Sequence, residues 1–119
     1  MTEVLNPVDI EHRIREVANR ISAGVKVVSD RYAGYLTAEH EYDQAFAAAY
    51  LSHDGPAHER KYVAELGTVN ERKSRDVADA AFRYADRTAK ALESELRALQ
   101  SVGASIRQVY GVAGRGEGS

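Results

Sequence analysis

Residues 78–110 read ADAAFRYADRTAKALESELRALQSVGASIRQVY, and this stretch decides the fold. Apolar and small residues recur in it at alternating steps of four and three: Ala78, Phe82, Ala85, Ala89, Leu92, Leu96, Leu99, Gly103, Ile106 and Tyr110. Side chains at this spacing share one face of an α-helix, and a sustained seven-residue repeat is typical of a helix that packs along a second helix. The stretch is therefore predicted to be a long helix with a continuous apolar seam.

A matching repeat lies in the first half of the chain, at Ile14, Ile21, Val28, Tyr35, Tyr42 and Ala49. The two repeats are separated by residues 53–56, His-Asp-Gly-Pro. Glycine releases a preceding helix, and proline suits the first position of the next one. Asn6-Pro7 has the same helix-starting character. The predicted helices therefore run from about residue 7 to 52 and from about residue 56 to 110.

A tight turn between two long helices makes them antiparallel neighbours. The predicted fold is an all-α, coiled-coil-like helical hairpin in one domain, residues 1–111, followed by a flexible, glycine-rich tail, residues 112–119. Any break in a helix is expected at Gly24, Gly34 or Gly67, because glycine is a poor helix former. The hairpin seam is predicted to contain Ile14, Ile21, Val28, Tyr35, Tyr42, Phe82, Leu92, Leu96, Leu99 and Ile106.

The apolar surface is wider than one seam. Further apolar residues flank it: Val25, Tyr32, Leu36, Val63, Leu66, Val102 and Val109. Two helices alone bury one stripe each, so these residues predict self-association into a dimer or a larger bundle. The alternative is a kinked helix that folds back on itself.

The composition excludes several classes of protein. Sixteen Lys and Arg against eighteen Asp and Glu leave a net charge of −2, which gives no general attraction to nucleic acid. Cysteine is absent, so disulfides and thiolate metal sites are excluded. The N-terminus lacks the basic and apolar regions of a signal peptide, and no apolar run reaches the ~20 residues of a membrane span. We expect a cytoplasmic protein that does not contact the membrane.

Motifs for catalysis or cofactor binding are missing. The chain has no phosphate-binding glycine loop and no cysteine nucleophile, so no catalytic or cofactor-binding residue is predicted. His53, Asp54, His58 and Glu59 cluster around the turn and could bind a divalent metal. We interpret them as solvated loop residues, and no metal or other cofactor is predicted.

Basic residues along the second helix could follow a phosphate backbone: Arg83, Arg87, Lys90 and Arg97. Acidic residues precede most of these bases by four positions, however, so we interpret this face as a row of ion pairs, and Glu71–Arg75 would extend it. Arg107 and Arg115 have no nearby acidic residue except Glu117 and are candidate contacts for an anionic partner. Tyr110, at the end of the second helix, is a candidate interface residue.

Three segments carry a family resemblance: residues 41–50 (EYDQAFAAAY), 71–81 (ERKSRDVADAA) and 96–107 (LRALQSVGASIR). Together they resemble small uncharacterised α-helical proteins of phages and prophages of actinobacteria and Gram-positive hosts, often encoded near replication and recombination genes. The resemblance covers roughly residues 39–108 and implies a bacterial host cell. It singles out Gln100, Ser101 and Arg107 as interaction candidates.

We expect a non-enzymatic accessory protein of a phage or prophage that works in a replication or recombination module. It would bind a protein partner through its helices, and DNA is a second candidate partner. The alternative is a structural component used in virion assembly or as a connector. A metal-binding or hydrolytic bundle is a third hypothesis.

Overall fold

The computed structural model describes the backbone of residues 6–117 and the side chains of residues 6–111. In chain order it contains α1 (Pro7–Ser52), a 3₁₀ turn (Ala57–Glu59), α2 (Arg60–Gly67) and α3 (Val69–Glu117). Residues 6–117 contain no strand. The predicted all-α helical hairpin is confirmed.

The start of α1 is stabilised by the side chain of Asn6. Its Oδ1 accepts a hydrogen bond from the Asp9 backbone N–H at 2.9 Å, and its Nδ2 donates to the Asp9 carboxylate, also at 2.9 Å. Asn6 therefore satisfies a backbone donor that has no partner within the helix, and Pro7 follows at the position where a missing N–H has no cost. From there α1 continues through Gly24 and Gly34 without interruption.

The second half of the hairpin differs from the single predicted helix, because it is divided at Thr68. Thr68 Oγ1 donates to the Ala64 carbonyl at 2.6 Å, and the Thr68 carbonyl accepts from the Arg72 N–H at 3.0 Å. Thr68 thus ends α2 and precedes α3, and the residue is 2% exposed. The break lies beside Gly67, one of the three predicted positions.

The C-terminal part of α3 extends farther than expected. The helix ends at Glu117 rather than near residue 110. The predicted tail, residues 112–119, and the side chain of Arg115 lie outside the residues whose side chains are described.

The chain divides into two compact units: a first unit of Met1–Val25 with Arg87–Ser119, and a second unit of Lys26–Asp86. In the first unit Ile10, Val17 and Leu92 are buried. The helices approach closely at buried Gly103, where an added β-carbon would lie 3.2 Å from Ile10 Cγ2. This unit therefore has a small core of large apolar side chains.

The second unit is packed differently. Its buried residues are small: Ala64, Thr68 and Ala85. Aromatic rings supply the larger contacts, because Tyr32 and Phe82 lie 5.0 Å apart between ring centroids. Contacts between partly exposed aromatic rings thus take the place of a buried aliphatic core.

The ten predicted seam residues are all buried or half-buried in their units. Tyr110 continues the same spacing but is exposed. The reason lies in the first unit: Ile10, near the start of α1, already faces Gly103, so α1 offers little surface beyond Ile106 for α3 to pack against. The apolar repeat of α3 therefore continues beyond the residues that α1 covers.

Candidate functional site

The second unit carries an open groove of about 510 Å³ between α1 and α3. It is lined by Asp30, Arg31, Gly34, Lys73, Ser74, Val77, Ala78 and Ala81. The recess exists because half of these residues are glycine, alanine or serine and because a side chain at Gly34 would meet open space. Val77 stands at the groove with 70% of its surface exposed.

The register of the two helices shows which residues lie level with one another along the groove. Tyr32 contacts Phe82, and the Arg75 guanidinium lies over the Tyr42 ring. The two helices are therefore antiparallel here: higher residue numbers in α1 lie level with lower residue numbers in α3. It follows that Val77 lies level with the α1 turn containing Ala38.

Two further residues extend this surface. Glu41 lies seven residues after Gly34, and Tyr84 lies seven residues after Val77, so each shares the helix side of its predecessor. Both are exposed, Tyr84 by 75%. We call the groove residues together with Glu41 and Tyr84 the groove face. The helix register places Glu41 level with Lys73.

A polar and aromatic cluster lies on the seam of the second unit. The Arg75 carbon Cζ is 4.6 Å from the centroid of the Tyr42 ring, and Arg75 Nη2 lies 3.2 Å from Asp76 Oδ1. The hydrogen bond to Asp76 is the main cause of a raised Arg75 pKa. Burial, then the charges of Glu39 and Asp79, raise the pKa of Tyr35. Charged side chains of this cluster therefore lie beside the rings of the seam residues Tyr35 and Tyr42.

The expected ion pairs along α3 form in part. Arg83 Nε donates to Asp79 Oδ1 at 3.0 Å, and this bond raises the Arg83 pKa. The predicted Glu71–Arg75 pair is replaced, because Arg75 turns towards Asp76 and Tyr42 instead. Arg97 donates to Ser94 Oγ at 3.3 Å. The Arg75 guanidinium thus contacts the Tyr42 ring, although helix spacing alone predicts that it pairs with Glu71.

The short helix α2 presents a second apolar surface, which we call the α2 face: Tyr62, Val63 and Leu66. Ala64 is turned inward and is fully buried, whereas Leu66 is 78% exposed. Lys61 and Glu65 lie beside this face, with 4.0 Å between Nζ and Oε1. An exposed helix face with three large apolar side chains within one helical turn is typical of an interaction surface.

The predicted interaction residues of α3 are exposed but are not all brought together. Gln100 and Arg107 are seven residues apart and share one side of the helix. Ser101 is rotated about 100° from Gln100, as adjacent helical residues are. Tyr110 is also exposed. These four residues therefore form no single patch, and their role stays a prediction.

At the hairpin turn, His53 Nε2 lies 3.2 Å from Glu59 Oε2. The His53 ring folds over Gly55, where an added β-carbon would collide with it. The pair joins the end of α1 to the last residue of the 3₁₀ segment. Within residues 6–111, no group of three His, Cys, Asp or Glu side chains is placed to hold a metal ion.

The periodicity of the sequence does not single out the groove face, although a signal for it exists. Val77 and Tyr84 are separated by seven residues and lie just beside the seam positions Ala78 and Ala85. They form a second apolar stripe along α3. Because this stripe directly adjoins the seam, sequence periodicity alone does not distinguish its exposed residues from the buried residues of the seam.

Comparison of the chain with protein-family models, with curated proteins and with solved structures finds no match. Among the described residues, no helix is both long enough and apolar enough to cross a membrane.

Proposed function

We propose that this chain is a non-enzymatic binding protein that acts by docking its helical surfaces onto other helices. The observation that carries the proposal is the exposure of large apolar side chains in the second unit, with Leu66 at 78% and Tyr84 at 75%. Contiguous exposed apolar surface favours association with another protein. The lack of a catalytic motif in the sequence is consistent with this role.

The setting that we propose is a replication or recombination module of a phage or prophage. Its support is the resemblance of residues 41–50, 71–81 and 96–107 to small helical phage proteins. The charge pattern favours a protein partner over DNA, because Arg83 is paired with Asp79 and Arg75 with Asp76. Within this proposal Gln100, Ser101, Arg107 and Tyr110 are secondary contacts.

The α2 face provides a sharp test of the binding function. A tagged chain would be cross-linked and purified from bacteria that also express the products of neighbouring genes, beside the variant Tyr62→Ser/Leu66→Ser. We expect wild type to retain a neighbouring gene product that the variant loses. Both residues are largely exposed, so the variant should keep its helical circular dichroism. Retention of the same proteins by both chains would contradict the proposal.

Binding to DNA can be measured directly. Light scattering of the purified protein with short single-stranded and duplex DNA, at low and moderate salt, would detect a complex. A complex that weakens as salt rises would indicate phosphate contacts and would direct mutation to Arg107 and Arg115. An unchanged mass would restrict the proposal to protein partners.

The second candidate function is a structural role in virion assembly or as a connector. It is favoured by the presence of two separate apolar surfaces, the groove face and the α2 face, because repeated assembly needs more than one contact per subunit. A structural component should be present in many copies in purified particles. Its absence from particles would leave the accessory role.

A further inference from the structure

The second unit lacks the large buried side chains that stabilise the first. Ile10, Val17 and Leu92 are buried in the first unit, whereas the buried residues of the second are Ala64, Thr68 and Ala85. Removing a large aliphatic side chain from water is a main source of folding stability. The second unit therefore has much to gain if another molecule covers its exposed apolar side chains.

The groove face contains both projections and a recess. Val77 and Tyr84 project from α3, and Gly34 with Ala81 forms the floor of the groove. A two-fold symmetric contact brings the same surface of two molecules together, so that surface must be complementary to itself. A face with projections on one helix and a recess against the other meets this requirement.

The groove face also carries charges of both signs, so it can pair with an identical face. Asp30 and Glu41 are acidic, and Arg31 and Lys73 are basic. A strongly basic surface would favour nucleic acid, and a surface of one sign would repel a second copy. Two acids and two bases on one face are instead compatible with pairing between identical surfaces.

We infer that the groove face binds a second copy of this chain. The inference rests on the proposed binding function and names the partner for one of its surfaces. The two copies meet face to face about a two-fold axis parallel to the helices, so that α3 of each copy lies against α1 of the other. The four helix segments then form an antiparallel bundle, in which every helix packs against oppositely directed neighbours.

The helix register predicts the contacts of this dimer. Val77 of one copy lies level with Ala38 of the other, one helical turn from Gly34, and enters the groove there. Lys73 meets Glu41, and Tyr84 meets the turn that contains Asp30 and Arg31. Each contact occurs twice in the dimer. The two copies of Lys73 and the two copies of Glu41 therefore lie at one level, with positive and negative charges alternating around the axis.

The first test is the mass of the full-length protein in solution, measured by light scattering and sedimentation equilibrium. We expect wild type at twice 13.1 kDa and Val77→Glu at 13.1 kDa. The matched control is Val109→Glu, the same substitution on the same helix at similar exposure, 67% against 70%. The control should remain dimeric. A monomeric wild type, or a Val77→Glu variant that stays dimeric, would overturn the inference.

A charge exchange tests the predicted register. Lys73→Glu and Glu41→Lys each place like charges together and should raise the dimer dissociation constant about ten-fold or more. The double variant Lys73→Glu/Glu41→Lys restores opposite charges and should recover the wild-type constant. Failure of the double variant to recover would rule out this arrangement.

These results are separable from those on the proposed function. A monomer that still retains a partner through the α2 face would refute the dimer and leave the binding function in place. A dimer that is broken by Val77→Glu, with no protein retained through the α2 face, would support the dimer and refute the wider function.

Discussion

The guanidinium of Arg75 lies over the ring of Tyr42, with 4.6 Å between Cζ and the ring centroid. The two residues come from opposite helices of the second unit, and Tyr42 occupies a seam position that an aliphatic residue would usually fill. The contact joins α3 to α1 by a cation–π interaction beside the Asp76 carboxylate. It also marks the register on which the groove face depends.

Removal of this guanidinium should lower the free energy of unfolding. We expect Arg75→Ala to cost about 1 kcal/mol, because it loses the cation–π contact and the packing of the arginine stem. Urea unfolding would measure the change. Arg72→Ala, an exposed neighbour, serves as control and should stay within about 0.5 kcal/mol of wild type. A double-mutant cycle with Tyr42→Leu that gives no coupling would contradict the contact.

The pKa of Tyr35 is raised above its ordinary value of 10.0, first by burial and then by Glu39 and Asp79. A pKa that is higher in the folded chain means that the fold favours the neutral phenol. This stabilisation is complete below pH 10 and is lost as the pH rises through the folded-state pKa. We expect wild type to lose stability in this range and Tyr35→Phe to lose less. Urea unfolding across the range, with exposed Tyr84→Phe as control, would measure the difference; equal losses in all three chains would exclude Tyr35 as the cause.

The hydrogen bond from Thr68 Oγ1 to the Ala64 carbonyl should stabilise the break between α2 and α3. Thr68→Val keeps the volume but leaves the buried carbonyl without this donor, which should cost about 1–3 kcal/mol. The matched control is Thr88→Val on the exposed side of α3, which should have little effect. Thermal unfolding would compare the two variants. Similar midpoints would show that the bond does not hold the break in place.

Two helical glycines of the first unit should respond in opposite ways to alanine. Gly24→Ala enters open space and should raise stability by about 1 kcal/mol, the usual gain in a helix interior. At Gly103 the added carbon lies 3.2 Å from Ile10 Cγ2. Isoleucine is stiff about its first side-chain bond, so the crowding should cost about 1–3 kcal/mol and cancel or exceed the gain. An equal gain at both positions would contradict the close approach at Gly103.

The helices and their seam could be predicted because their signals are local and periodic. Asn6-Pro7 and residues 53–56 carry the chemistry of helix ends, and steps of three and four place Leu92, Leu96 and Leu99 on one face. The flanking apolar residues were recognised in the same way, and Val25, Leu66 and Val109 are exposed in the structure. The candidate site was not predicted, because the recess at Gly34 depends on which residues of α3 lie opposite it.

The sequence by itself therefore determined that this chain is a helical hairpin, since capping, turn residues and apolar periodicity act within a few residues of one another. Tertiary structure alone decided the rest. It directs Arg75 to Tyr42 and Asp76 rather than to Glu71, and it places the break at Thr68, where a buried hydroxyl binds the preceding turn. The contact of Arg75 with Tyr42 depends on the register between α1 and α3, and a few ångströms of sliding along the helix axis would remove it while leaving each helix intact. The hydroxyl bond of Thr68 is local in sequence, but the burial of Thr68 is a property of the packed chain.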